Sequence, residues 1–194
     1  MAGKGATKAK IIDAAWRLFR EKGYHNTTIE DIIASSHTSK SSFYHYFSGK
    51  DALLSSLSDY FDDYYQQLMD KADPSMHCFD KLVWLCCSIH RMIGECIQPE
   101  LLAMLYSSQV VTRGDKHLLD QNRYYFRIIR QIMDEGQRRG EISDKLSQYE
   151  LVNYYAMCER ALIYDYCIND ASYDLGEFTA RHMPLLLAGI RGEN

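Results

Sequence analysis

Proline is scarce in this chain, three residues in 194, and glycine is held to eleven. Both interrupt helices, so their rarity across long runs of Leu, Ile, Met, Ala, Glu and Lys argues against a loop-rich or short-stranded fold and predicts an all-α protein. No stretch of roughly 18 apolar residues occurs, so no membrane-spanning helix is expected. The lysines and small residues of Met1 to Lys10 are not followed by an apolar segment, and the expected compartment is the cytoplasm. The cysteines Cys78, Cys86, Cys87, Cys96, Cys158 and Cys167 form no CxxC pair and sit within helical patterns. In a reducing compartment they read mainly as small buried hydrophobes, and a disulfide framework is not expected. Enzyme signatures are missing as well: there is no Gly-rich phosphate loop, no GxSxG and no HExxH. The chain is therefore read as a non-enzyme with no resident cofactor or metal. A small enzyme using His90, Cys87 and Glu159 is a rival that rests on three residues scattered over helices.

What is present is a globular composition, 46% apolar, with a net charge of -4 that hides an asymmetry. Residues 1–50 carry eight Lys/Arg against four Asp/Glu, and the rest carries fourteen against twenty-two. The basic end is the candidate nucleic-acid end.

Ile11, Ile12, Ala15, Trp16, Leu18 and Phe19 lie at helical spacing between Lys8 and Lys22, and Gly23 follows as a left-handed cap. Thr27 and Thr28 precede Glu30 and Asp31, which is N-cap chemistry for a short second helix to about Ser35. After Ser36-His37-Thr38, Ser39 caps a third helix, Lys40 to Tyr46, with Phe43 and Phe47 turned inward. Two short helices joined by a tight turn make a helix-turn-helix. Further helices are expected over Lys50 to about Lys71, 77–97, Glu100 to Ser107, 116–138 after a loop around Thr112-Arg113-Gly114, Ser147 to Ile168 and Leu175 to Ile190, about nine in all.

Residues 27–53, TTIEDIIASSHTSKSSFYHYFSGKDAL, carry a family resemblance. Thr-Thr before the second helix, Ser-Lys opening the third, Phe-Tyr-His-Tyr-Phe closing it and Lys-Asp-Ala-Leu starting the fourth resemble the helix-turn-helix of the TetR family of repressors. The resemblance implies a DNA-binding domain over 1–50 and a helical ligand-binding and dimerisation domain over 51–194, joined by the helix from Lys50. It also implies a homodimer that binds palindromic double-stranded operator DNA and is released by a small-molecule effector. The family usually has Ala-Gly in the turn where this chain has Ser36-His37, so His37 is expected at positive φ with modest strain. A rival without a ligand is a nucleoid-associated or protein-interaction module.

A recognition helix presents its N-terminal residues to base edges. Lys40, Ser41, Ser42 and His45 are the candidates for base reading, by donation to guanine from Lys40 and by the ambivalent hydroxyls and imidazole of the others. Thr28, Ser39, Tyr44, Tyr46 and Lys50 are hydroxyl or ammonium donors near helix ends, suited to phosphates. Thr28 and Ser39 equally read as plain helix caps, and Tyr44 as packing.

In the helix 77–97, Lys81, Ser88 and Glu95 form a polar line, and His90 projects opposite it beside Gly94, Cys86 and Cys87. His90 reads as a satisfied core histidine, as a ligand-binding one, or as half of a Cys86-x-x-x-His90 metal pair with only two ligands in view. Asn153 and Arg160 mark the polar side of the helix 147–168. Glu159 falls among Leu151, Val152, Tyr155, Cys158, Leu162, Ile163 and Tyr166, where a carboxylate needs a salt bridge, a hydroxyl network, a cationic ligand or a proton. A pocket lined by some of Trp84, Cys87, His90, Tyr106, Phe126, Tyr155 and Glu159 is expected to take a partly apolar effector, with Gly94 making room. On the last helix Phe178, His182, Met183, Leu186, Leu187 and Ile190 form an apolar stripe, and residues 147–190 are the expected dimer interface.

Overall fold

The computed structural model describes residues 2–111, 113 and 116–192, with side chains from Ala6 onward. Thr112 and Gly114, read from sequence as part of a loop, lie outside the described residues. Ten α-helices are present among the described residues. They are α1 (Ala2–Lys22), α2 (Ile29–Ser36), α3 (Lys40–Tyr46), α4 (Lys50–Leu54), α5 (Ser56–Met69), α6 (Cys78–Cys96), α7 (Pro99–Val111), α8 (Tyr124–Arg139), α9 (Gln148–Ile168) and α10 (Leu175–Leu186). Single 3₁₀ turns lie at His117–Leu119 and Ala188–Ile190. The β pairing among these residues is an isolated bridge between Ile142 and Arg191, so the class is all-α. No helix among them is long and apolar enough to cross a membrane.

The chain divides into two compact units. The first comprises residues up to Tyr60 together with Glu100–His117, and the second Phe61–Pro99 together with residues from Leu118. The division falls within α5, and the first unit includes α7 apart from Pro99.

In the first unit Ile11, Ala15, Phe19, Ile32, Phe43, Leu53 and Leu54 are fully buried. Each large apolar side chain withdrawn from water in this way contributes about 1.5–3 kcal/mol. Phe19 is flanked by Trp16 and Tyr24, with ring centroids at 5.6 and 5.0 Å, and the Trp16 indole donates to Ser56 Oγ at 3.0 Å. His25 lies 3.8 Å from Glu100 of α7.

The single helix expected from Lys50 to Lys71 is instead two. Ser55 and Ser56 donate their hydroxyls to the carbonyls of Ala52 and Leu53, both at 2.6 Å, and Ser58 donates to Ser55 at 2.7 Å. Serine hydroxyls that return to carbonyls three residues back compete with the i→i−4 ladder and interrupt it.

In the second unit the helix expected over 116–138 starts only at Tyr124. Asp120 accepts from the backbone N–H and the side-chain amide of Asn122 at 2.9 and 3.0 Å, an Asx turn that separates the 3₁₀ turn at His117–Leu119 from the helix proper. The helix start is then pinned by Asp62, which takes two guanidinium bonds from Arg123, at 3.2 and 2.6 Å, and the Tyr124 N–H at 3.1 Å.

Helices α6 and α10 cross closely. A Cβ on Gly176 would stand 3.0 Å from Arg91 Cβ, and one on Gly94 would stand 3.5 Å from Leu175 Cβ. Gly94 is otherwise exposed, and a Cβ there would meet Leu175 at ordinary contact distance, so the position faces α10 rather than opening room beside His90. Lys81, placed on the polar line from sequence, is buried at 4% relative exposure. The stripe on the last helix also divides: Met183, Leu187 and Ile190 enter the core, whereas Leu186 is 37% exposed. The helix stops at Leu186, two residues after Pro184, whose ring removes a backbone donor.

Candidate nucleic-acid interface and a buried polar cluster

The loop between α1 and α2 and the turn between α2 and α3 are set by local chemistry. Thr28 Oγ1 accepts from the Asp31 N–H at 3.1 Å while the Asp31 carboxylate accepts from the Thr28 N–H at 3.0 Å, a reciprocal capping box that holds the Asp31 carboxyl below its usual range. His37 closes α2 at φ 52 and ψ 39, the left-handed conformation expected of it, and its N–H returns to Ala34 and Ile33. Ser39 then caps α3, accepting from the Ser42 N–H at 3.0 Å and donating to Ser42 Oγ at 2.9 Å.

Burying Phe43 and Phe47 turns the opposite face of α3 outward. Lys40, Ser41, Tyr44 and His45 are exposed there, and Ser42 and Tyr46 are half-buried. Lys40 Nζ lies 3.6 Å from Glu30 across two exposed side chains, a contact worth little in water and readily exchanged. The face combines a flexible cation, hydroxyls and an imidazole at one helix's N-terminal half, a donor set able to address base edges.

Lys50 has a further role that sequence alone did not expose. Its ammonium donates to the carbonyls of Tyr24 at 2.8 Å and Thr27 at 3.0 Å, and lies 4.2 Å from the centre of the Tyr24 ring. The Tyr24 hydroxyl in turn donates to Asp51. These bonds staple the α1–α2 loop to the start of α4.

In the second unit the structure gathers Cys86, His90 and Glu159. One donor atom from each lies within 4.8 Å of the others, and all three residues are buried. His90 Nδ1 pairs with Thr179 Oγ1 at 2.6 Å, and Cys86 Sγ lies 3.9 Å from the ring nitrogens. Nε2 stands 3.9 Å from Glu159 Oε1, beyond hydrogen-bond reach. Burial holds the imidazole pKa down to about 3, so this is not a charged pair at neutral pH. Burial raises the Glu159 carboxyl above its usual range, opposed by hydrogen bonds from Tyr125 and Tyr65, the latter at 2.5 Å. The hydroxyl network considered for Glu159 is therefore the arrangement found. Burial also pushes the Cys86 thiol well above its usual value.

Of the other expected pocket residues, Phe126 and Tyr155 are buried, Tyr155 donating to the Leu82 carbonyl at 2.9 Å, while Trp84 and Cys87 are half-buried. Tyr106 belongs to the first unit. A surface groove of about 300 Å³ is lined by Gln137, Ile142, Ser143, Lys145 and Arg191 among others, and by none of the expected ligand residues. Tyr65, Tyr125 and Thr179 were not legible as members of the cluster. Tyr65 precedes Glu159 by 94 residues and Thr179 follows His90 by 89, and no local pattern links them.

Residues 11–57 match the family model described as bacterial regulatory proteins, tetR family. Over these residues, where the helix-turn-helix is built as above, the chain is similar to the DNA-binding domain of the TetR family. Among curated relatives, it is 29% identical over 155 residues to the HTH-type transcriptional regulator HbdR of Aromatoleum sp. (strain CIB), covering 75% of this chain and 65% of that regulator. The chain spans less than two thirds of that relative's length, and smaller shares of the next curated regulators it matches. Among solved structures it resembles the transcriptional regulator FadR from Bacillus subtilis in complex with stearoyl-CoA, with a TM-score of 0.71 at 21% identity over 95% of this chain and 100% of that one. It also resembles Thermus thermophilus FadR in complex with lauroyl-CoA, with a TM-score of 0.72 at 19% identity over 93% of each chain. At these identities the likeness is one of fold.

Proposed function

We propose that this chain is a ligand-responsive transcription regulator of the TetR type that represses by occupying a palindromic operator in the bacterial cytoplasm. The observation that carries the reading is the outward face of α3, held by the Ser39 cap and the left-handed His37, with Lys40, Ser41 and His45 exposed at the helix that family members use to enter the major groove. Lys40, Ser41, Ser42 and His45 read bases, and Thr28, Ser39, Tyr44, Tyr46 and Lys50 hold phosphates. A homodimer through residues 147–190 sets the spacing of two recognition helices. Exposed Met157, Tyr164 and Ile168 on α9, with Leu185 and Leu186 at the end of α10, support that interface.

The effector is a small molecule with an apolar portion, received by the second unit. Acyl-CoA complexes of two fold relatives favour that class, and His90 and Glu159, with Trp84, Cys87, Phe126 and Tyr155, are the proposed contacts within that unit. The ligand must bind the DNA-incompetent state more tightly than the competent one, or nothing switches.

Selection of bound DNA from a random pool, followed by footprinting, tests the reading. A short palindromic footprint is expected, and Lys40→Ala should relax preference at one base pair per half-site by about 1–3 kcal/mol. Diffuse, salt-sensitive binding would point to a nucleoid-associated module instead, and no binding would remove the DNA role.

A further inference from the structure

We infer that Cys86, His90 and Glu159 form a divalent-metal site in the second unit, suited to zinc, that ties α6 to α9. The inference stands apart from the DNA-binding reading, because it rests on donors within one unit.

Three features point the same way. The donor set is a thiol, an imidazole and a carboxyl, which together match the borderline character of zinc better than that of a purely hard or purely soft ion. The separations fit next. Sγ and Nε2 are 3.9 Å apart, Nε2 and Oε1 are 3.9 Å apart, and all three donors lie within 4.8 Å. Donors so placed leave a point roughly 2.5 Å from each, a few tenths of an ångström outside the usual zinc–ligand distances.

The surroundings are those of a supported site. The tautomer in which Nδ1 donates to Thr179 Oγ1 leaves Nε2 as the bare nitrogen, and Nε2 is the one that faces Glu159. Metal-ligating histidines usually carry such an outer partner. Tyr65 donates to the same Glu159 Oε1 that faces Nε2, and a hydrogen bond from Tyr125 also holds the carboxyl in place. Nothing in the described hydrogen bonding joins His90 to Glu159, although the two are buried beside each other. Ionised Cys86 and Glu159 would balance a dication, the thiol proton leaving to solvent. Three protein donors also leave the fourth position of a tetrahedral zinc to water or another ligand.

The test uses untagged full-length protein, stripped with chelator and loaded with Co²⁺ or Zn²⁺ during refolding, because the donors are buried. One metal per chain is expected by elemental analysis, with cobalt giving visible ligand-field bands and a thiolate-to-cobalt charge-transfer band in the near ultraviolet. Cys86→Ala should abolish that band while Cys158→Ala retains it, and Glu159→Gln should weaken affinity by at least about tenfold. A folded chain that takes up neither metal, or a charge-transfer band that survives Cys86→Ala, overturns the assignment. Should Cys86→Ala lose its cooperative melt, X-ray absorption at the zinc edge of the loaded wild type decides. One sulfur among nitrogen and oxygen neighbours supports the site, and a shell without sulfur overturns it.

Discussion

Replacing Lys50 by alanine removes two charge-assisted hydrogen bonds, to the carbonyls of Tyr24 and Thr27, and a contact with the Tyr24 ring. Hydrogen bonds to charged groups contribute about 1.5–3 kcal/mol each when shielded, and a cation–π contact at an exposed site about 0.5–1 kcal/mol. Lys50 is only half-buried, so solvent competes for its ammonium. Ordering the lysine stem also costs up to about 2 kcal/mol. The expected net loss is therefore about 1–3 kcal/mol, confined to the first unit. It can be read by urea unfolding in a Trp84→Phe background, where Trp16 is the remaining tryptophan and reports on the first unit alone. Lys50→Met keeps the stem and should lose a similar amount, since the bonds come from the ammonium. An unchanged urea midpoint in both variants would show that the staple contributes nothing. If the same ammonium also meets a phosphate, Lys50→Ala lowers the salt slope of operator binding by about 0.9.

His37→Gly should raise the melting temperature, because releasing a left-handed non-glycine residue gains roughly 1 kcal/mol against about 0.4–1 kcal/mol of added freedom in the unfolded chain; a fall in melting temperature would mean the turn is unstrained. Gly94→Ala should stabilise by about 0.5–1 kcal/mol, since its Cβ meets Leu175 at ordinary contact distance and alanine is the better helix former, whereas Gly176→Ala should destabilise by pressing on Arg91. Paired urea titrations that rank the two the other way would refute the packing described for α6 and α10. Leu186→Glu should convert a dimer to monomers by light scattering, and a variant of unchanged mass would place the interface elsewhere.

The helix-turn-helix was open to sequence reading because its determinants are local. A cap and its partner lie three residues apart in Thr28 and Asp31 and in Ser39 and Ser42, and a left-handed turn residue acts through its own φ. Helix type and order followed from periodicity and from the rarity of proline. Breaks made by serine hydroxyls in α4–α5 and by the Asp120 turn before α8 escaped it, because apolar spacing continues through them unchanged. Burial of Glu159 was legible from its place in an apolar arc, but not what satisfies it. Tyr65, Tyr125 and Thr179 reach the cluster from α5, α8 and α10, and only packing brings such distant side chains within hydrogen-bond range. Gly94 and Lys50 make the same point. A residue's type restricts what it can do, yet whether a glycine opens a pocket or admits a crossing helix, and whether a lysine faces solvent or a pair of carbonyls, depends on which chain segments the tertiary fold sets against it.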